Sequence, residues 1–212
     1  TEDEVLAEAG KRLEIRLAAL ASDVQQQARW QAAISSAEIN GWLASKLYER
    51  FPELPPDQMA DPRVALGENA LLVGFRYRGA RFETTVSLEV DVFVAEEGLV
   101  AVRFRRASAG SLPLPLREVI EQANVLAARF GYALRWTRHE GDPVACVPLR
   151  DVVASPAERR KLESIELREG EILLAGVTLS DGLPSTDDPM SASSTDAATP
   201  ADRGDEGESL HR

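Results

Sequence analysis

The alternation of hydrophobic and polar positions is clearest in the middle of the chain. Between residues 81 and 94 every even position carries Phe, Thr, Val or Leu, whereas most odd positions are charged or carry a hydroxyl. A period of two puts successive side chains on opposite faces of a strand, so this stretch predicts one long β-strand with a single buried face. It is longer than the usual strand of about 3 to 10 residues.

Two flanking segments alternate in the same way and can be aligned with this strand. The preceding segment ends in a predicted four-residue turn at 78–81, and the following one begins after a loop centred on Glu97 and Gly98. The predicted cross-strand pairs are Tyr77 with Phe82, Val73 with Val86, Val92 with Val102, Val90 with Phe104, Asp91 with Arg103 and Glu89 with Arg105. The apolar pairs share one face and the charged pairs share the other, which favours a single register.

A Gly-Ser-Leu-Pro-Leu-Pro-Leu stretch, residues 110–116, ends the third of these strands. Pro113 and Pro115 have no N–H to donate to a neighbouring strand, so the sheet cannot continue through them. Residues 117–130 then repeat apolar side chains at helical spacing. We therefore expect a helix that turns back across the apolar face of the sheet.

Helical patterns also precede the sheet. The stripe in residues 2–27 predicts a helix that either lies on its own domain or pairs with a partner, and Ser35 with Glu38 forms a capping box for a second helix that Pro52 ends. Residues 51–64 are interpreted as an extended linker. After the third helix, hairpins are predicted around Gly141 and around Glu169–Gly170.

The pattern predicts an α+β fold with three regions. Residues 1–33 form an N-terminal helix, 34–179 the α+β domain, and 180–212 a disordered acidic tail, since almost nothing apolar follows Ser180. The net charge of -11 argues against a partner made of nucleic acid. The chain starts at Thr1 without an initiator Met, so we expect that a membrane anchor could precede it.

Catalytic chemistry is not evident in the pattern. There is no nucleophile elbow, phosphate-binding loop or dinucleotide-binding glycine motif, and His139 and His211 are the only histidines. The single cysteine, Cys146, lies in an apolar strand pattern and has no evident general base nearby. The pattern therefore predicts a buried cysteine and not a nucleophile. We predict no enzyme activity, no catalytic or metal-ligating residues and no cofactor.

Five segments together resemble a known family. SAEINGWLASKL, RVALGENALLVGFRYRG, ETTVSLEVDVFV, GSLPLPLREVI and IELREGEILLAGVTL look like the YpmS-type bacterial proteins, which are similar in pattern to the tubular lipid-binding superfamily. The resemblance implies a long curved antiparallel sheet wrapped around a helix, with an apolar groove for lipid. It also implies an extracytoplasmic protein held by one N-terminal transmembrane helix.

Two functions follow as hypotheses. The first is a domain that binds lipid or another elongated apolar ligand between the sheet and the helix; the predicted wall is Val86, Leu88, Val90, Val92, Phe104, Leu116, Ile120 and Leu126. The second is a closed core in an envelope interaction or scaffold module, whose partner would be a membrane or envelope protein. A cluster of Arg76, Arg78, Arg103 and Arg105 either pairs with neighbouring carboxylates or contacts an anionic surface.

Overall fold

The helices and strands come from a computed structural model, which describes residues 1–56, 59–79, 82–96, 99–148 and 158–180. The helices are α1 (Glu2–Gln26), α2 (Ser36–Arg50) and α3 (Leu116–Arg129). The strands are β1 (Arg29–Ser35), β2 (Met59–Leu66), β3 (Leu71–Arg78), β4 (Glu83–Glu96), β5 (Leu99–Ala109), β6 (Leu112–Pro113), β7 (Arg135–His139), β8 (Asp142–Pro148), β9 (Glu158–Arg168) and β10 (Glu171–Ser180). The predicted α+β class is confirmed. Of the predicted tail, residues 181–212 lie outside the described part of the chain.

The strands form two antiparallel sheets. The smaller sheet has the order β1-β10-β9, and the larger has the order β2-β3-β4-β5-β8-β7, with the short β6 paired to β5. The long central strand is confirmed as β4, and both predicted late hairpins are present as β7–β8 and β9–β10. The loop predicted at Glu97–Gly98 lies outside the described residues.

The predicted register is right for three of four pairs on the β5 side of β4 and shifted by two residues on the β3 side. Between β3 and β4 it is wrong by two residues, because Gly79 is hydrogen-bonded to Phe82: the Gly79 N–H donates to the Phe82 carbonyl at 2.9 Å. Val86 therefore lies opposite Phe75, and Tyr77 lies opposite Thr84. An even shift keeps every side chain on its predicted face, so the apolar face is preserved.

Between β4 and β5 three of the four predicted pairs are confirmed: Val90 with Phe104, Val92 with Val102 and Asp91 with Arg103. The fourth is wrong, since Glu89 lies opposite Arg106. A register shift between Glu89 and Val90 leaves Arg105 as an extra residue, as in a β-bulge. The alternation of β4 alone could not reveal that β5 contains an additional residue.

The face of β4 that was expected to be solvated is buried at one end. Ala101, Val144 and Cys146 form a buried cluster there, with Phe93 packed against it. Arg103 lies on the same face and is itself buried. The sequence pattern assigned this face to solvent because it contains the charged residues of β4, but β8 adds apolar side chains beside them. The burial of Cys146 in a strand is confirmed.

Two strands occur where none was predicted. β1 pairs with β10 across residues 29–35, and the predicted boundary between residues 33 and 34 falls inside it. β2 replaces the predicted linker, because the Asn40 side chain of α2 both donates to the Val64 carbonyl at 2.8 Å and accepts from the Val64 N–H at 2.7 Å. Pro62 is tolerated because β2 is an edge strand.

The first helix packs closely against the second. A Cβ added to Gly41 would lie 2.6 Å from the Gly10 nitrogen and 2.7 Å from the Ala9 Cβ, so the two backbones meet at these glycines. Ala9 and Leu13 are buried at this crossing. Residues 1–181 accordingly form one compact unit that includes α1. The capping box of Ser35 and Glu38 is present at the start of α2.

Candidate apolar groove

One face of the larger sheet is almost entirely apolar, and we call it the apolar face. Register partners share a face, so the apolar face can be followed from strand to strand. It comprises Leu66 of β2, Leu71, Val73 and Phe75 of β3, Val86, Leu88, Val90 and Val92 of β4, Val102, Phe104 and Ala107 of β5, Ala145 of β8 and Trp136 of β7. None of these residues is charged, so this face offers apolar contact across six strands.

The predicted groove residues of β4 and β5 all lie on the apolar face, but they differ in burial. Val90 is buried, with 4% of its surface exposed. Its neighbours on the same face, Val86, Leu88, Val92 and Phe104, are only half-buried. The centre of the face is therefore covered while the surface around it is partly open.

Helix α3 lies over the apolar face. Trp136 belongs to this face through its pairing with Ala145, and its Nε1 donates to the Asn124 side chain of α3 at 2.7 Å. The Trp136 ring also contacts Phe104, with centroids 5.6 Å apart. The segment after Pro115 thus returns to the sheet, as the proline-rich stretch predicted.

The Gly-Ser-Leu-Pro-Leu-Pro-Leu stretch at residues 110–116 forms the connection between β5 and α3. Leu112 and Pro113 pair with the end of β5, and the Leu114 N–H donates to the Ala107 carbonyl at 2.9 Å. Gly110 has a positive φ of 58°, a backbone conformation that favours glycine, and this allows the reversal between β5 and β6. The chain then enters α3 directly.

No residue of α3 is buried. Its sheet-facing side chains are half-buried, including the predicted groove residues Leu116 and Ile120. The third predicted residue of this helix, Leu126, is 38% exposed and lies at the edge of the apolar stripe. A helix with an apolar stripe normally buries it against the domain, so this helix covers the sheet loosely.

The two edges of the stripe face different neighbours. Ile120 and Asn124 lie toward β7, where Ile120, Trp136, Thr137, Arg138 and Pro143 line a cleft of about 260 Å³. At the end of the helix, Phe130 meets Phe51 with ring centroids 5.0 Å apart, and Phe51 follows α2. Both contacts involve aromatic rings at the boundary of the apolar face.

The four predicted arginines are held by carboxylates of the same chain. Arg76 pairs with Asp61 and Glu83, and Arg78 donates to Glu83 at 3.0 Å. The hydrogen bond from Arg78 lowers the pKa of Glu83. Arg78 is the last residue of β3 and Glu83 is the first residue of β4.

The other two arginines share one carboxylate. Arg103 donates to Asp91 at 2.7 Å and to Glu140 at 2.6 Å, and Arg105 donates to the same Asp91 oxygen at 2.7 Å. The hydrogen bond from Arg103 lowers the pKa of Glu140. Arg103 is buried and its guanidinium is paired with the partly buried Asp91 and the exposed Glu140, so it presents little surface to a partner.

A second cleft, of about 560 Å³, lies between α1 and the smaller sheet. Its floor contains small side chains, among them Ala33 and Ala175, and its charged residues are largely paired. Arg16 binds Glu38 at 3.0 Å, and Arg168 binds Glu166 at 3.0 Å. Because apolar and paired charged groups are mixed along this cleft, it offers no single chemistry to a ligand.

The sequence reasoning did not single out Arg138. The alternation in the segment RWTRH places Trp136 and Arg138 on one face of β7. This spacing was the sequence signal that could have linked Arg138 to the apolar face. Among the described residues, no three His, Cys, Asp or Glu side chains converge as metal ligands. Within the same ranges, no helix combines the length and the hydropathy needed to cross a bilayer.

Comparison with known proteins gives no relative: no family model, curated protein or solved structure matches the chain.

Proposed function

We propose that this protein is a non-enzymatic domain that binds a lipid or another elongated apolar ligand between the apolar face and α3. The observation that carries the proposal is that two apolar surfaces face each other and neither is fully buried. The wall residues Val86, Leu88 and Val92 are half-buried, and α3 above the sheet has no buried residue. A ligand placed between them would remove this apolar surface from water, at about 25 cal/mol per Å².

The shape of the apolar face suits an elongated molecule. Along β4 the face runs from Val86 to Val92 with no charged side chain, and Phe104 and Trp136 extend it sideways toward β7. An apolar chain needs contact along its length and few polar partners, because it carries no group that must be hydrogen-bonded. The stretch of the face between Val86 and Val92 carries no charged side chain and meets this requirement.

The proposal is tested by titrating the purified protein with N-phenyl-1-naphthylamine, a neutral probe that fluoresces in apolar surroundings. We expect saturable binding by the wild-type protein, and a loss of several-fold in affinity for Leu88→Gln, which puts a polar amide on the apolar face. Leu72→Gln is the matched control, because Leu72 is the neighbour of Val73 on the opposite face and is exposed. Thermal melts of both variants establish that they are folded.

Absence of saturable probe binding by the wild-type protein would overturn the proposal. Equal losses for Leu88→Gln and Leu72→Gln would also overturn it, because the binding would then not depend on the apolar face. Native mass spectrometry of the freshly purified protein gives a second readout, since a co-purified lipid adds a discrete mass to the chain.

An extracytoplasmic location with an N-terminal transmembrane anchor is part of the same proposal. It rests on the resemblance to the YpmS-type proteins and to the tubular lipid-binding superfamily. A lipid-binding domain of this kind would meet its ligand at the membrane that anchors it. Fractionation of cells that produce the natural full-length protein tests this location.

A second candidate function is an envelope interaction or scaffold module with a closed core. The observation that favours it is the outer surface of α1, where Val5 and Ile15 are 67% and 69% exposed. Exposed apolar side chains on one helix suit a partner protein or a second copy of the chain. A native mass that shows a dimer without added lipid would favour this function over the first.

A further inference from the structure

The cleft between α3 and β7 joins an apolar interior to a cationic rim. Ile120 and Trp136 supply apolar surface, and Pro143 of the neighbouring strand β8 also lines the cleft. Arg138 lines the same cleft and is exposed. It lies opposite Pro143 in the β7–β8 pair, two residues from Trp136, and therefore on the same face of the sheet.

Arg138 differs from the arginines discussed above, because it has no carboxylate partner among the described residues. Arg76, Arg78, Arg103 and Arg105 each form an ion pair within the chain. Within the described ranges, Arg138 forms no ion pair. Its guanidinium retains its full set of donors for an anion.

An unpaired guanidinium at the edge of an apolar cleft matches a molecule with two parts. The apolar part lies against Ile120 and Trp136, and an anionic end group reaches Arg138. Planar guanidinium groups bind carboxylates and phosphates through two parallel hydrogen bonds, which a neutral alcohol cannot reproduce. Charge complementarity thus selects among apolar ligands by their end group.

We propose that Arg138 binds the anionic end group, a carboxylate or a phosphate, of an apolar chain held beneath α3. This inference rests on the proposed function and names the chemical class of its ligand. Arg138 acts as a specificity-determining residue: the chain supplies the affinity common to all ligands, and the guanidinium adds a preference for negative charge.

The experiment compares four probes with a saturated chain of nearly equal length: palmitate, hexadecyl phosphate, hexadecanol and hexadecyltrimethylammonium. Each is added below the concentration at which it aggregates in the buffer, to displace N-phenyl-1-naphthylamine from the protein. We expect the wild-type protein to bind the two anions about fivefold more tightly than the alcohol, the upper range for an exposed ion pair. The preference should shrink at 1 M salt, where screening reduces exposed charge interactions.

Arg138→Gln should abolish this preference and leave hexadecanol binding unchanged. Arg135→Gln is the matched control, because Arg135 lies on the same strand, is exposed, and pairs with Cys146 on the opposite face. It should keep the preference for anions. Palmitate against hexadecyl phosphate then tells which anionic group Arg138 favours.

Failure of this inference is distinguishable from failure of the proposed function. If hexadecanol binds but the anions bind no more tightly, or if Arg135→Gln and Arg138→Gln lose the preference equally, the role of Arg138 is overturned and the groove remains. If none of the four probes displaces the dye or binds directly, both proposals are overturned.

Discussion

Replacing Glu38 with glutamine tests how α1 is joined to the rest of the fold. The Glu38 side chain is only 6% exposed and lies where α1, β1 and α2 meet. It accepts hydrogen bonds from the Ser35 N–H and hydroxyl, both at 2.9 Å, and from the Arg16 Nε at 3.0 Å. The glutamine amide would keep the shape and one carbonyl oxygen but lose the negative charge.

The size of the effect follows from these contacts. A hydrogen bond to a charged group contributes about 1.5–3 kcal/mol, against about 0.5–1.5 kcal/mol for a neutral one. Arg16 is half-exposed, so water replaces part of its lost interaction. We expect Glu38→Gln to lower the free energy of unfolding by about 1–2 kcal/mol at pH 7, or the melting temperature by about 5 °C.

The effect should depend on pH in a defined direction. Burial would raise the pKa of Glu38, but the hydrogen bonds from Ser35 and the ion pair with Arg16 together lower it below its ordinary value. A lowered folded-state pKa adds stability above the unfolded-state pKa of about 4.3, and this stability is lost as the pH falls through the folded-state pKa. The difference between wild type and Glu38→Gln should therefore be full above about pH 5 and shrink below about pH 4.

Urea unfolding followed by circular dichroism at about pH 7 and about pH 3.5 measures both differences. Glu49→Gln is the matched control on the same helix, because Glu49 is 66% exposed and its ion pair with Lys46 lies at the surface. It should have no resolvable effect at either pH. Equal stability of wild type and Glu38→Gln at neutral pH, or a difference that persists unchanged at the acidic pH, would refute this account of the junction.

Two further predictions concern the helices. Gly41→Ala should lower the free energy of unfolding by about 1–2 kcal/mol, because the added Cβ meets the backbone of α1 and the cost of overpacking exceeds the gain in helix propensity. Gly67→Ala is the control, since its added Cβ would have the Ala70 oxygen, at 3.6 Å, as its nearest neighbour. Equal stabilities of the two variants would contradict the close helix crossing. Amide hydrogens of α3 should exchange with solvent faster than those of α2, because α3 has no buried residue whereas α2 buries Glu38, Gly41 and Leu47. Hydrogen–deuterium exchange of peptides from both helices, detected by mass spectrometry, measures the difference. Slower exchange in α3 would show that this helix is firmly packed.

The central strands were predictable because their pattern is local and repeated. Strict alternation located β4, and the prolines after Gly110 located the return to α3. The register was less certain, because it depends on the turn and on a bulge. The register of the β3–β4 pair differs from the prediction by two residues, and in the β4–β5 pair the extra residue Arg105 places Arg106 opposite Glu89. A turn or bulge changes the pairing without altering the alternation that a single strand displays.

The missed strands depend on partners that are distant in the sequence. β1 is stabilised by β10, more than 130 residues later, and β2 by the Asn40 side chain of α2. These segments, RWQAAIS and MADPRVAL, carry no regular alternation of apolar and polar residues. The same reason explains the buried end of the opposite face, since Val144 and Cys146 arrive there from β8. The proposed role of Arg138 depends on α3, which is distant in the sequence from β7 and brings Ile120 into the cleft that Arg138 lines.

The two candidate functions differ in what a ligand does to α3. In a closed core the helix is already packed, so an added apolar molecule has no surface to occupy and leaves α3 unchanged. In the groove, a ligand would fill the space between half-buried residues such as Leu88 and Ile120, and would stabilise the helix by covering both surfaces at once. Ligand-dependent protection confined to α3, with α1 and α2 unaffected, is therefore a consequence of the groove that an interaction surface on α1 does not share.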